Sequence, residues 1–206
     1  MLFYMEVLHE FLNIHPDDMW VYNKLQLCRK LEYICGPLGA PVPFPGWYIL
    51  KPAINFLGMG RNSRKIWLTP EDKTENFGIP GEFWSEFFEG EHISVDYYKK
   101  HQILTVKGFP EDKKHISECS RWRKWQKVDR EIPFPEVLGD VWRNYSTINI
   151  ECIGGNMIEA HVRGNPDFVW GNEEAIPVWK GDRISPPDGY TFVRSPDYER
   201  VGFYIK

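Results

Sequence analysis

The segment from Thr147 to Arg163, TINIECIGGNMIEAHVR, limits how this chain can fold more than any other. Two runs rich in Ile, Thr and Val flank Gly154, Gly155 and Asn156, residue types that accept the positive φ of a tight turn, so the segment reads as a β-hairpin. Side chains alternate across a strand. One face therefore carries Ile148, Ile150, Cys152, Ile158, Ala160 and Val162, and needs a core to cover it. The other carries Asn149, Glu151, Glu159, His161 and Arg163. If Gly154, Gly155 and Asn156 form the loop, Glu151 stands opposite Glu159 and Asn149 opposite His161. Facing like charges destabilise a strand pair by about 0.2–1 kcal/mol, so a positive group is expected between them. A hard divalent cation held by carboxylate oxygens meets that need. So does a solvated polar face with Arg163 as counterion. A register slip of one residue would put the two carboxylates on opposite faces.

A sheet with one apolar face needs a covering layer, and 206 residues suffice for one large domain or two small lobes. An apolar fraction of 42% and an aromatic fraction of 16% are those of a folded soluble protein. The net charge of −4 argues against a general nucleic-acid binder and leaves room only for a local basic patch. No apolar run approaches the roughly 18 residues of a membrane span. The opening MLFYMEVLHEFLNIH has no basic stretch and carries Glu6 and Glu10 among its apolar residues, unlike a signal peptide. Cys28, Cys35, Cys119 and Cys152 are scattered, with no CxxC pair, and read as reduced thiols of a cytoplasmic protein.

Upstream of the hairpin, Asp17 and Asp18 are placed to cap a helix with apolar positions at Trp20, Leu27, Leu31 and Ile34, ended by Gly36. Lys24 falls inside it. PVPFPG forms a rigid extended connector into an apolar strand from Trp47 to Leu50, which ends in Lys51. An ammonium group on such a strand requires an anionic partner. NFLGMGRNSRK follows, and Gly58 and Gly60 let backbone approach a ligand closely. By itself a GxG is a plain turn; beside Lys51 it reads as a flap over a polyphosphate. The stretch from Trp67 to Pro80 reads as loop. EFWSEFFEGEHISVDYY gives a strand to about Phe88, a turn at Gly90 and a second strand in which Ile93, Val95 and Tyr97 alternate; HQILTVKGF continues that sheet. RWRKWQK, Arg121 to Lys127, reads as a helix face with its tryptophans in the core, or as a grip on a nucleic acid or charged tail. Glu131 to Asn144 reads as loop and short helix, and the Pro-, Gly- and Trp-rich tail as ending in a strand around Val201 to Ile205.

Taken in order, these pieces resemble the ATP-grasp superfamily of Mg-ATP-dependent carboxylate–amine ligases, over about residues 20–170. The resemblance implies a single α+β domain of two lobes, about 20–88 and 89–206, with nucleotide held between their antiparallel sheets. It implies that Lys24 and Lys51 contact the ATP phosphates and that Asn55 to Arg61 form the flap, with Gly58, Met59 and Gly60 at its tip. Glu86 and Phe88 would hold adenine and Glu91 the ribose. Glu151 and Glu159 would bind Mg²⁺, and Arg163 would steady the transferring phosphate alongside Lys51. His161 stands where the family usually has Asn. Imidazole is a poor Mg²⁺ partner, so His161 would contact phosphate or substrate, or else the metal site would take Mn²⁺.

Many members also carry an N-terminal substrate-binding domain, whereas only some twenty residues precede Lys24 here. The acceptor pocket is then expected from a partner subunit, a homodimer or the substrate itself. Arg121 and Arg123 would grip an acceptor linked to a peptide, protein or nucleic acid. The expected reaction turns a carboxylate into an acyl phosphate at the expense of ATP and passes it to an amine. Two other classes stay open: a nucleotide-binding interaction module without catalysis, and a metal-dependent nuclease using the acidic face with RWRKWQK.

Overall fold

The computed structural model describes residues 12–54, 60, 62–110, 122–182, 185–197 and 199–206, and among them two antiparallel sheets set the architecture. The smaller contains β1 (Cys35–Pro37), β2 (Gly46–Pro52), β3 (Arg64–Leu68) and β4 (Glu82–Glu86), in the order β1-β4-β2-β3. Alternation along β2 buries Tyr48 and Leu50 with Val42, Leu68 and Trp84 in a small core on one face. Lys51 therefore falls on the opposite face.

The larger sheet contains β5 (His92–Tyr98), β6 (His101–Pro110), β7 (Trp122–Lys127), β8 (Thr147–Ile153), β9 (Asn156–His161), β10 (Glu174–Trp179), β11 (Thr191–Asp197) and β12 (Arg200–Ile205). Its order is β11-β12-β10-β7-β6-β5-β8-β9. One face carries Ile93, Val95, Tyr97, Ile148, Ile150, Cys152, Met157 and Ala160, covered by Val21 and Leu27 and by the 132–145 connection. The other face combines an apolar cluster around Val106, Phe168, Ala175 and Phe203 with the polar residues of the hairpin.

The helix expected from Asp17 to Gly36 is shorter and broken. Helix α1 (Met19–Tyr22) stops at Asn23, whose backbone is extended at φ −88 and ψ 98. The Asn23 side chain then accepts from the Gln26 amide at 3.1 Å and caps α2 (Lys24–Lys30). Asp18 is taken by a bond from the Asn144 side chain, and Gly36 lies in β1. The break places Lys24 at the start of α2, where its amide donates to Ala53 O, just past the end of β2.

Three further readings change. RWRKWQK gives strand β7, not a helix face. β4 and β5 belong to different sheets, so residues 87–91 cross between sheets where a simple turn was expected. Within 67–80, expected to be loop, Trp67 and Leu68 complete β3, and Thr74–Asn76 form a 3₁₀ turn. The final strand is found as expected, at Arg200–Ile205.

The hairpin forms with Glu151 opposite Glu159 and Asn149 opposite His161, but by a different route. Ile153 pairs with Asn156 across a loop of only Gly154 and Gly155, and Cys152 pairs with Met157. The register shifts before Glu151 meets Glu159, which leaves Ile158 as the extra residue of a bulge. Met157 accordingly enters the core in place of Ile158. The hairpin tip rests on the inter-sheet segment: Gly154 N donates to Glu91 O at 3.0 Å, and a Cβ on Gly154 (φ +58) would overlap Glu89 O. No described helix is long and apolar enough to cross a membrane.

Candidate functional site

The polar face of the hairpin receives side chains from the neighbouring strand β5 and from α2. Lys24 Nζ, buried, lies 3.0 Å from Glu159 Oε2. His161 Nε2 lies 3.4 Å from the other oxygen of Glu159, and its ring meets Tyr22 edge-on. His92 Nε2 lies 3.0 Å from Glu151 Oε2. Lys24 thus supplies positive charge beside the facing carboxylates, and the His92 and His161 rings lie against Glu151 and Glu159 in turn.

Burial drives the protonation behaviour of this cluster, and neighbouring charges decide its direction. Burial would raise the Glu151 carboxyl, but the His92 hydrogen bond and the charges of His92, His161 and Lys24 outweigh it and hold the group at about 2. Burial likewise opposes ionisation of Glu159, and Lys24 and His161 hold it below the usual carboxylate range. Lys51 behaves in the opposite way. Burial pushes its ammonium below the ordinary lysine value and the nearby Lys24 adds to this, while Cys28 and Glu159 offset part of it. Lys51 makes no ion pair with any carboxylate among the described residues; its Nζ sits 5.5 Å from the Phe83 ring centroid. A buried ammonium without a counterion is costly unless a ligand completes it.

A second polar group fixes the chain just beyond the hairpin. Asn149 donates to Ser94 Oγ at 2.7 Å and to Asp96 Oδ1 at 2.8 Å. Both Asp96 oxygens accept from the Asn165 amide, at 3.0 and 2.8 Å. This anchors the turn that carries Arg163, whose Nη1 donates to Gly164 O at 3.0 Å. Asp167 follows, its Oδ2 3.3 Å from Arg200 Nη1.

The remaining expected residues lie around the inter-sheet crossing. Glu86 is tied on both sides to Ile34, its Oε1 accepting from Ile34 N at 3.0 Å and its own amide donating to Ile34 O. Phe88 meets Tyr33 edge-on at 4.8 Å. Glu91 is paired with Lys107 and with Arg130, 2.8 Å away, which depress its carboxyl. Gly60 adopts a φ of +61, open to glycine at little cost. Arg123 is exposed on β7. Gly58, Met59 and Arg121 lie outside the described residues. The sequence placed Asn149 on this face, but not its partners Ser94 and Asp96, nor His92 or the Asp167–Arg200 pair. The alternation that marked Ile93, Val95 and Tyr97 as core implies His92, Ser94 and Asp96 on the opposite face.

Among the described residues no three His, Cys, Asp or Glu side chains are arranged to hold a metal by themselves. Glu151 offers one oxygen, Oε1, with no hydrogen bond among the described residues, whereas Glu159 has both oxygens engaged by Lys24 and His161. This donor set fits Mg²⁺ arriving with a nucleotide, since Mg²⁺ is commonly held by one or two carboxylates while phosphates and water complete its shell. It does not fit a cation bound alone.

The fold is similar to that of several solved structures, an ATP-grasp superfamily protein among them. The chain is similar to an L-amino acid ligase from Bacillus licheniformis at 10% identity and a TM-score of 0.54, covering 90% of this chain and 66% of that one. It is similar to an ATP-grasp superfamily protein from Archaeoglobus fulgidus at 13% identity and a TM-score of 0.47, covering 91% and 65%. A third, N5-carboxyaminoimidazole ribonucleotide synthetase from Thermotoga maritima, matches at 11% identity and a TM-score of 0.47, covering 93% and 69%. The chain thus spans just under two thirds of the length of the first two structures. No protein-family model and no curated protein sequence matches it.

Proposed function

We propose that this protein is an ATP-dependent carboxylate–amine ligase that requires Mg²⁺ or Mn²⁺. The observation that supports it most is Lys51: a buried ammonium with no carboxylate partner among the described residues, close enough to the Lys24–Glu159 pair to feel both charges. Lysines grouped with carboxylates suit a polyphosphate with its cation.

In this reading Lys51 and Lys24 bind the phosphates, and Glu151 and Glu159 hold the accompanying cation. The bound cation would neutralise charge on the phosphates. Glu86 and Phe88 border the base and Glu91 the ribose. A carboxylate oxygen of the acid attacks the γ-phosphorus, the bond to the bridging oxygen breaks, and ADP leaves. Arg163, held by the Asp96–Asn165 anchor, steadies the transferring group. An amine then attacks the acyl carbon, inorganic phosphate departs, and the nitrogen loses a proton. Positioning and charge neutralisation carry both steps, with no strong protein base required. Arg121 and Arg123 are the residues assigned to the acceptor.

The test is calorimetric titration of a non-hydrolysable ATP analogue with and without Mg²⁺, followed by ADP release across panels of carboxylates and amines. Binding that needs Mg²⁺ for full affinity, and ADP release that needs both substrates, are expected. An absence of nucleotide binding would overturn the reading.

A further inference from the structure

His92 is held from three sides. It is half of a hydrogen bond with Glu151, and its ring meets Trp122 edge-on at 4.6 Å and Trp125 edge-on at 5.3 Å. Its side chain is only 11% exposed. The two tryptophans lie 4.7 Å apart and tilted by 46°.

Three residues apart on a regular strand, Trp122 and Trp125 would face opposite ways. They share a face because β7 is bulged: Gly108 pairs with Trp125, Phe109 with Lys124 and Pro110 with Trp122, leaving Arg123 as the extra residue. Bulges of this kind re-aim side chains and are frequent beside active sites. The rings then need room on β6, and Gly108 provides it. A Cβ there would stand 2.8 Å from a ring atom of each tryptophan. Gly108 is also the residue directly opposite His92. A bulge, a glycine and two tryptophans thus converge on one imidazole.

The imidazole in turn fixes one carboxylate. An ionised carboxylate only accepts hydrogen bonds, so Nε2 is the donor to Glu151 Oε2. Oε1 takes no hydrogen bond among the described residues, and the side chain is 28% exposed. Without this anchor, Glu151 would turn away from Glu159, which faces it across the strand pair.

We infer that His92 is a positioning residue for Glu151, and that Trp122 and Trp125 are placed on this face to hold His92. The assembly fixes Oε2 and commits Oε1 to the cation that accompanies the nucleotide. The inference rests on the reading of Glu151 as a metal-binding residue.

The experiment compares the wild-type protein with His92→Gln, His92→Leu and Trp125→Leu. Melting temperature is recorded, and a non-hydrolysable ATP analogue is titrated with no metal and then with Mn²⁺. Partners that orient metal ligands change metal affinity by about 10–100-fold when removed. His92→Leu is expected to weaken Mn²⁺ binding by at least about tenfold. His92→Gln, which keeps an N–H near the position of Nε2, restores most of it, and Trp125→Leu falls between. Affinity for the metal-free nucleotide stays unchanged in all three. Wild-type Mn²⁺ affinity in His92→Leu would overturn the inference, as would a Gln variant as weak as Leu or a fall only in melting temperature. A wild-type protein that binds nucleotide but no Mn²⁺ would remove the metal reading of Glu151, and this inference with it.

Discussion

Replacing Lys51 by Met keeps the length and flexibility of the side chain and removes its charge. Two effects of opposite sign follow. The ammonium is buried on the face of β2 opposite Tyr48 and Leu50 with no ion-pair partner among the described residues, and its pKa is pushed down by burial, with Lys24 adding to the effect. The lysine of the unfolded chain titrates at its ordinary value, so between the two values the unfolded state binds more protons. Stability therefore rises with pH across that window, and the cost of charging Lys51 is fully present below it. Removing the charge should stabilise the free protein by about 1 kcal/mol, the low end for replacing buried ionic groups with apolar ones. For a chain of this size that is about 2–4 °C in melting temperature at neutral pH. Nucleotide binding should move the other way. Loss of one buried charge contact costs about 2–5 kcal/mol, a weakening of roughly thirtyfold or more. Scanning calorimetry and titration of an ATP analogue with Mg²⁺ read the two effects on the same preparation. A Met variant that melts lower, or that keeps wild-type affinity, would refute the argument that this ammonium is held for a ligand.

Glu159→Gln should lower ATP turnover at least about a hundredfold, because it removes a charge facing the cation. It also leaves the buried Lys24 without its counterion, so the melting temperature should fall by about 6–12 °C, equivalent to roughly 3 kcal/mol, as scanning calorimetry will show. Gly108→Ala forces a Cβ against both Trp122 and Trp125, and denaturant unfolding should show a loss of about 1–3 kcal/mol. Acid unfolding should report Glu151: its carboxyl is depressed to about 2, so the stability it contributes is present above the ordinary glutamate value and is lost as pH falls through about 2. A Glu151→Gln variant should show a shallower loss over that range.

Periodicity made the central hairpin legible because one face had to be apolar. Facing of Glu151 and Glu159 followed from that, although the compact Gly154–Gly155 turn and the Ile158 bulge that jointly produce it did not. Two irregularities of one residue each cancel in register, and a sequence pattern records only their sum. The same blindness hid β7. Trp122 and Trp125 at a spacing of three imitate a helical stripe, and only the bulge at Arg123 reveals how a strand can present both. Lys24 and Lys51 could be picked out, but not the counterion of Lys24. An ion pair between α2 and β9 joins residues too far apart in the chain for any local pattern to signal. His92 was in view as one residue of an alternating strand, and its role came only from neighbours contributed by β7 and β8.

Gly154 and Gly90 meet where the hairpin tip touches the segment linking the two sheets. A Cβ on Gly90 would come within 2.6 Å of Gly154 Cα, and one on Gly154 would overlap Glu89 O. Both positions are thereby closed to every other residue, including the Asn that such turns ordinarily accept. The contact also fixes a length. Adding a residue to the turn would lift the tip off the crossing or slide Glu151 past Glu159, so the spacing between those carboxylates and the path between the sheets can change only together. A relative of this protein that lengthens its hairpin should therefore carry a matching change in residues 87–91, and one that keeps both glycines should keep both lengths.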